Sequence, residues 1–305
     1  MTAVLAGLIP VFAIIALGTL LRRMNLLEDA GWRAIERLTY FVLFPSFLFG
    51  AIAFADFGTA PVGRLALALA VAMLAMATLT YAVRPLLHLD GPGFTSLFQG
   101  AVRWNSYVAL GATAAVLGSP GLALIAVAVA VMVPLANVLC VMVLVRHASD
   151  RQPDVLMLLG QVLRNPLILA CLAGIMAQVL GLTLPKPLAN GIDLVGKAAL
   201  PLGLLAVGAS LDMGNLQSRP GPVVVASLLK LIVMPVLLAG VGLVFGLTGP
   251  ALVAALICAA VPGAPSSFIL ARQMGGDAPL MAGITTVQTV AALLTMPLLL
   301  WVLAP

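Results

Sequence analysis

Ten apolar runs divide the chain, at about 2–21, 34–54, 62–83, 94–117, 121–145, 166–184, 190–211, 221–246, 250–272 and 279–303. Within each run the apolar residues are continuous instead of alternating. Most runs hold the roughly 20 residues that a helix needs to cross about 30 Å of hydrocarbon. Continuity and length together exclude strands, including the weak alternation of a membrane barrel. The pattern predicts an all-α polytopic membrane protein of ten transmembrane helices. Polar punctuation separates the runs at 22–33, Arg84 to Gly93, Arg146 to Asn165, Leu184 to Asn190 and Asp212 to Pro220. The connections at Ser119-Pro120 and Thr248-Gly249-Pro250 are very short. The first run has no basic segment ahead of it and is followed by Arg22 and Arg23, so it reads as an uncleaved span.

Composition narrows the class. The 305 residues are 63% hydrophobic and only 8% charged, with mean hydropathy +1.19. A soluble domain carries roughly 25% charged residues, so a cytosolic enzyme, a nucleic-acid binder and a disordered chain are all excluded. The net charge of +5 is an effect of membrane-edge arginines, not a nucleic-acid footprint. Cys140, Cys171 and Cys258 lie in apolar runs without metal spacing and read as core thiols. No metal or cofactor is expected.

The cations orient the chain. If the loop after the first span is cytoplasmic, that side holds Arg22, Arg23, Arg33, Arg84, Arg146, Arg151, Arg164, Arg219 and Arg272, against Arg64 and Lys186 opposite. This bias puts both termini outside a cell inner membrane and the 146–165 loop inside. Five spans per half would turn the second half upside down. The predicted organisation is therefore a five-helix repeat over 1–145, a cytoplasmic linker over 146–165 and an inverted five-helix repeat over 166–305. Internal matches support it: Pro45 with Pro201, Pro134 with Pro297, and Ala101-Val102 and Pro120 with Ala260-Val261 and Pro279 at an offset of 159.

Two spans carry polar or broken centres. The fourth reads GAVRWNSYVALG over 100–111 and places Arg103 about 13 Å deep, followed by Asn105, Ser106 and Tyr107. A cation at that depth needs a water-filled cavity, an anion or carbonyl partners. The ninth reads AAVPGAPSSFILARQMGGD over 259–277. Pro262 and Pro265 each remove a donor and clash with the preceding turn, and Gly263 adds backbone freedom. The helix should unwind there, and the free amides at Ser266 and Ser267 should favour an anion. Pro45, Pro201, Pro262 and Pro265 are the expected hinges. Lys230 is placed about ten residues into the eighth span, within reach of the same cavity or snorkelling. Asn137 and Gln288 are candidates for bonds between helices. The acids fall at membrane edges and His88 and His147 in loops, which disfavours a paired-acid ion relay. Gly208-Ala209-Ser210 is not a nucleophile elbow and no buried base accompanies it, so a membrane-embedded hydrolase is disfavoured.

These stretches resemble the bacterial branch of the auxin efflux carrier family, within the bile acid/auxin transporter superfamily. The resemblance rests on IALGTLLRRMNLLEDAGWRAIERLTYFVLFPSFLF, Arg103-x-Asn105, Pro134-x-x-Asn137, Asn165-Pro166 and ALPLGLLAVGASL. It continues through Lys230 with Pro235, Pro262 through Arg272, and Gly275-Gly276-Asp277. It implies ten helices in two inverted repeats, with spans four and nine crossing at the substrate site. It also implies elevator-type alternating access, small organic carboxylates as cargo (auxin in plants; malonate, malate or other small acids in bacteria) and a homodimer. Two departures weigh against auxin itself: the central loop has only about 20 residues, and Trp104 stands where plant carriers have proline. The expected function is a secondary transporter of small organic anions, by efflux or uniport. The alternatives are proton-coupled uptake and, more remotely, a channel or a sensor.

The topology is testable by single-cysteine labelling. A cysteine at Arg151 should react with an impermeant maleimide only after the membrane is opened, and one at Lys186 in intact spheroplasts.

Overall fold

The computed structural model describes residues 2–55, 60–148, 160, 163–182, 184–211 and 219–303. Arg151, Asp212 and most of the 146–165 linker lie outside them. Every regular element among the described residues is helical. α1 is Thr2–Arg23, and α2 (Asp29–Leu38) continues through a π turn, Thr39–Leu43, into α3 (Phe44–Ala53). α4 (Val62–Ala82), the short α5 (Arg84–Leu87), α6 (Gly91–Val102) and α7 (Ser106–Ala148) follow. Then come α8 (Pro166–Val179), α9 (Lys186–Lys197) and α10 (Ala199–Ala209). α11 (Pro220–Leu228) runs through a second π turn, Leu229–Val233, into α12 (Met234–Val244). α13 (Gly249–Ala260), α14 (Ser266–Gln273) and α15 (Ala278–Leu303) complete the chain.

Seven stretches are long and apolar enough to cross a membrane, and Pro166–Val179 and Gly249–Ala260 are shorter apolar helices. The stretch Gly91–Ala148 has 58 residues and would be about 87 Å long if straight, far beyond one bilayer. It is interrupted twice, at 103–105 and at Gly118, whose φ of 63° and ψ of −155° are not helical. Large exposed side chains such as Ile9, Leu172, Val244 and Leu294 cover the outside, as a lipid-facing surface requires.

Prolines shape the elements. Pro92, Pro166 and Pro250 stand in first turns, where a missing N–H costs nothing. Asn165 caps α8 by accepting from Leu167 N and Ile168 N at 2.9 and 3.4 Å. Pro45 and Pro235 each follow a π turn, which widens the helix where the ring would meet a carbonyl of the preceding turn. Pro201 follows the break at Ala198 between α9 and α10. Helix irregularities thus lie immediately upstream of both Pro45 and Pro201.

The helices sort into two packed groups that interleave the halves of the sequence. α1, α2–α3, α8 and α9–α10 pack among themselves; α4, α6, α11–α12, α13 and α15 form the other group, and α7 touches both. In the first group α1 and α10 meet backbone to backbone. A Cβ on Gly208 would lie 1.9 Å from Ile15 O and one on Gly18 2.2 Å from Leu205 O, while Thr19 Oγ1 donates to Gly208 O at 2.8 Å. Small residues that allow such approach are a hallmark of membrane helix interfaces.

The second group is built around two broken helices. α6 and α13 each have twelve residues opening on Gly-Pro, and each ends on an extended residue, Arg103 (φ −72°, ψ 153°) and Val261 (φ −69°, ψ 152°). The structural correspondence is therefore an offset of 158 (249 − 91), one less than the sequence matches indicate. Trp104 answers to Pro262, and Asn105 to Gly263. The two broken helices cross antiparallel. Their centres are joined by Asn105 N donating to Pro262 O at 2.9 Å. The start of α6 meets the far end of the other, where Ser96 Oγ donates to Asp277 O at 2.8 Å and Asp277 N to Pro92 O at 3.3 Å. Arg219 sits over this end, 3.0 Å from Asp90 Oδ1 and 3.5 Å from Asp277 Oδ2. The hydrogen bond to Asp90 and the charges of both carboxylates raise its already high pKa further.

Gln288 of α15 is fully buried and holds the crossing together. Its Oε1 accepts from Gly263 N at 2.8 Å, and its Nε2 donates to Gly100 O at 2.9 Å and Ala226 O at 3.2 Å. The sequence-based expectation that Gln288 bonds between helices thus has three partners on three elements. Gln288→Leu should orphan Gly263 N and Gly100 O, at about 1–3 kcal/mol each, while Ala226 O keeps the Leu229 N–H. Thermal unfolding of the purified protein in detergent should show a clear drop in melting temperature.

Candidate substrate site

The crossing borders a cavity of about 660 Å³, within the size range of small-molecule sites. Its wall is drawn from the first packed group, from α7, from the two breaks and from α14. α6–α7 supply Arg103, Trp104, Asn105, Ser106 and Tyr107 through the break at 103–105. The second break supplies Ala264, Pro265 and Ser266. Asn137 and Asn165 add amides.

Arg103 lies at the meeting point. The chain is extended there, so the side chain leaves the helix and Nη2 donates to Ser266 Oγ at 3.3 Å. Nη1 is buried and makes no hydrogen bond. The fully buried Cys140 thiol lies within electrostatic reach of the guanidinium. Asn105 has two roles. Its Oδ1 caps the second half-helix, accepting from Tyr107 N at 3.1 Å and Val108 N at 3.2 Å. Its Nδ2 is buried on the cavity wall and has no partner. A guanidinium nitrogen and an amide nitrogen, two residues apart in the chain and both without acceptors, thus belong to residues of one cavity wall. A carboxylate would satisfy both.

The second break is more closed than the sequence suggests. Residues 261–265 leave the helix as expected, but the amides of Ser267 and Phe268 donate to Ala264 O and Pro265 O, each at 3.0 Å. The expectation of free amides at Ser266 and Ser267 is therefore corrected at Ser267. Tight turns at the start of α14 consume the N–H groups of Ser267 and Phe268, and the Ser266 hydroxyl accepts from Arg103. Ser267 Oγ is buried without a partner and does not line the cavity. Pro262 and Gly263 also stand behind the wall, bonded to Asn105 N and Gln288. Lys230 lies away from the cavity. It sits in the second π turn, fully buried beside Cys258, with no hydrogen-bond partner for Nζ.

One strip of the wall has no counterpart among the residues singled out by sequence. Arg33, Glu36, Arg37 and Tyr40 all line the cavity from α2 and its π turn. Their spacing i, i+3, i+4, i+7 marks one face of a helix, and that periodicity was the available signal. One acid, Glu36, thus lines the cavity. Among the described residues no three His, Cys, Asp or Glu side chains gather as a metal site.

Fold and site together define a polytopic, all-helical membrane protein with two broken helices crossing beside a cationic cavity. Residues 140–300 match the family described as membrane transport protein, and the chain belongs to that family, the auxin efflux carriers. Over 170 residues it is 30% identical to the protein of Rhizobium meliloti (strain 1021) named "Putative malonate transporter", covering 51% of this chain and 53% of that one. Over 119 residues it is 32% identical to sodium/bile acid cotransporter 4 of Mus musculus and of Homo sapiens, covering 38% of this chain and 27% of each relative. The chain thus spans about half the length of the first of these relatives, and less of the others.

Asn105→Asp separates the two roles of that residue. The cap oxygen remains, so melting should stay near that of the unaltered protein. The free donor is replaced by a negative charge beside Arg103, so affinity for small carboxylates should fall at least about tenfold, as loss of one charge-assisted contact requires. Calorimetric titration of both proteins measures it.

Proposed function

We propose that this protein is a secondary transporter that carries small organic anions, mono- or dicarboxylates of the size of malonate or malate, across the inner membrane. The single observation that carries the reading is Arg103. It is a guanidinium at the break of a membrane helix, bonded to Ser266 of the opposing break and retaining an unpaired nitrogen at a cavity. An unpaired cation at such depth is costly unless an anion visits it. The name of the Rhizobium relative supports the same cargo class.

The ten crossings form two inverted five-helix repeats, on this reading. The matching lengths and end dihedrals of α6 and α13 support it. α4, α6, α11–α12, α13 and α15 carry the site, and α1–α3 with α8–α10 form the frame against which it moves. With the arginine-rich ends inside, the cavity bordered by Arg33 and Arg37 opens to the cytoplasm. An anion carried alone would be driven outward by the membrane potential, at about 2.3 kcal/mol per charge per 100 mV. A second reading, uptake linked to protons, is favoured by the position of Glu36 on the cavity wall.

Counterflow in proteoliposomes tests the proposal. Loaded malonate should accelerate entry of labelled malonate severalfold over empty vesicles, and Arg103→Ala should abolish the exchange while still inserting and melting normally. Exchange confined to sugars or cations would end the anion reading.

A further inference from the structure

The cavity wall carries six titratable or charged side chains. Arg33, Glu36, Arg37 and Tyr40 come from α2 and its π turn, and Arg103 and Tyr107 come across from α6–α7. α10, which packs against α2, contributes no titratable side chain to the wall, and neither does the break before α14. Glu36 is the single carboxylate of the six. It is half-buried, seven residues past Asp29 and so about 10 Å along the helix. It forms no ion pair within 4.0 Å; the ion pairs among the described residues are Arg22–Asp29, Lys197–Asp193 and Arg219 with Asp90 and Asp277. It lies within electrostatic reach of Tyr107, which is in turn coupled to Tyr40, and Tyr40 to Arg103. An acid that neither pairs with the adjacent arginines nor faces lipid is free to interact with whatever occupies the cavity.

We infer that Glu36 is the charge-selecting residue of the substrate site: ionised, it admits monoanions and repels the second carboxylate of a dianion; protonated, it donates a hydrogen bond to that carboxylate and admits the dianion. This inference rests on the anion-transport reading. One carboxylate of the cargo sits at Arg103 and Asn105. In a cavity of about 660 Å³ a short diacid then places its far end toward the remaining wall, where Glu36 stands between Arg33 and Arg37. Two carboxylates sharing a small site cannot both stay ionised without cost, so one takes up a proton. The proton comes from solvent, is bound by Glu36 when the dianion enters and is returned when it leaves. Dianion binding is thereby linked to uptake of one proton, while monoanion binding is not.

The test is calorimetric titration of the purified protein in nanodiscs with malonate and with propionate, between pH 6 and pH 9. Linkage to one proton limits the effect to about tenfold in affinity per pH unit. Ligand ionisation is common to all variants, so the ratio of affinities between proteins at each pH isolates Glu36. Glu36→Gln should bind malonate more tightly than the unaltered protein by about tenfold or more at the alkaline end, and equally at the acid end. The propionate ratio should stay flat. Glu36→Asp should restore the pH-dependent ratio, which a merely structural role would not do. A malonate ratio that is flat with pH overturns the inference, and so does one that varies identically for propionate. If the unaltered protein and Glu36→Gln both bind no carboxylate at any pH, the transport reading itself fails, and this inference with it. Binding that Arg103→Ala abolishes but Glu36→Gln leaves unchanged overturns this inference alone.

Discussion

Interrupting a helix inside a bilayer removes partners from backbone groups where no water can replace them, and most of this architecture follows from meeting that demand. Each broken helix supplies part of what the other lacks. Asn105 N finds Pro262 O, and Gly263 N, Gly100 O and Ala226 O converge on the one amide of Gln288. The remaining donors are taken locally, by the Asn105 cap and by the tight turns at Ser267 and Phe268. Little is left over, and what is left is informative. Among the described residues that line the cavity, the buried side-chain atoms without a hydrogen-bond partner are Arg103 Nη1, Asn105 Nδ2 and Thr39 Oγ1.

How much of this was legible beforehand depends on the kind of signal. The runs announced the helices to within a few residues, because hydrocarbon length fixes helix length and the pattern does not compete with other folds. Pro262-Gly263-Ala264-Pro265 announced a break, since two prolines there leave the backbone little choice. Arg103 announced itself by cost. The hub at Gln288 was visible only as a lone polar residue in an apolar helix, and its three partners are distant in sequence. Lys230 misled in a different way. It is buried, but it sits in a π turn away from the cavity, and sequence periodicity assumes a regular helix. Glu36 was hidden in plain view: the 33–36–37–40 stripe is a helical face, yet it begins among loop-like polar residues and looks like an interfacial edge.

The electrostatics of the site are those of a cationic chamber with a single opposing charge. Three guanidiniums would attract any small anion, and attraction alone gives affinity without discrimination. A carboxylate on the same wall supplies the repulsive element that discrimination needs. Glu36 comes from α2 of the first packed group and Arg103 from the break between α6 and α7, and both line the one cavity.

The glycine contact between α1 and α10 has a mechanical meaning. With Gly18 and Gly208 set directly against carbonyls, no compliant layer of side chains separates the two helices, so they cannot slide past one another. The two groups meet through α7, which touches both, and where α1 contacts α15. The part of α7 beyond Gly118 is made largely of alanine, valine and leucine, with the run AVAVAVM at its middle. Small side chains leave shallow corrugations, and a shallowly corrugated surface is what a sliding bearing requires.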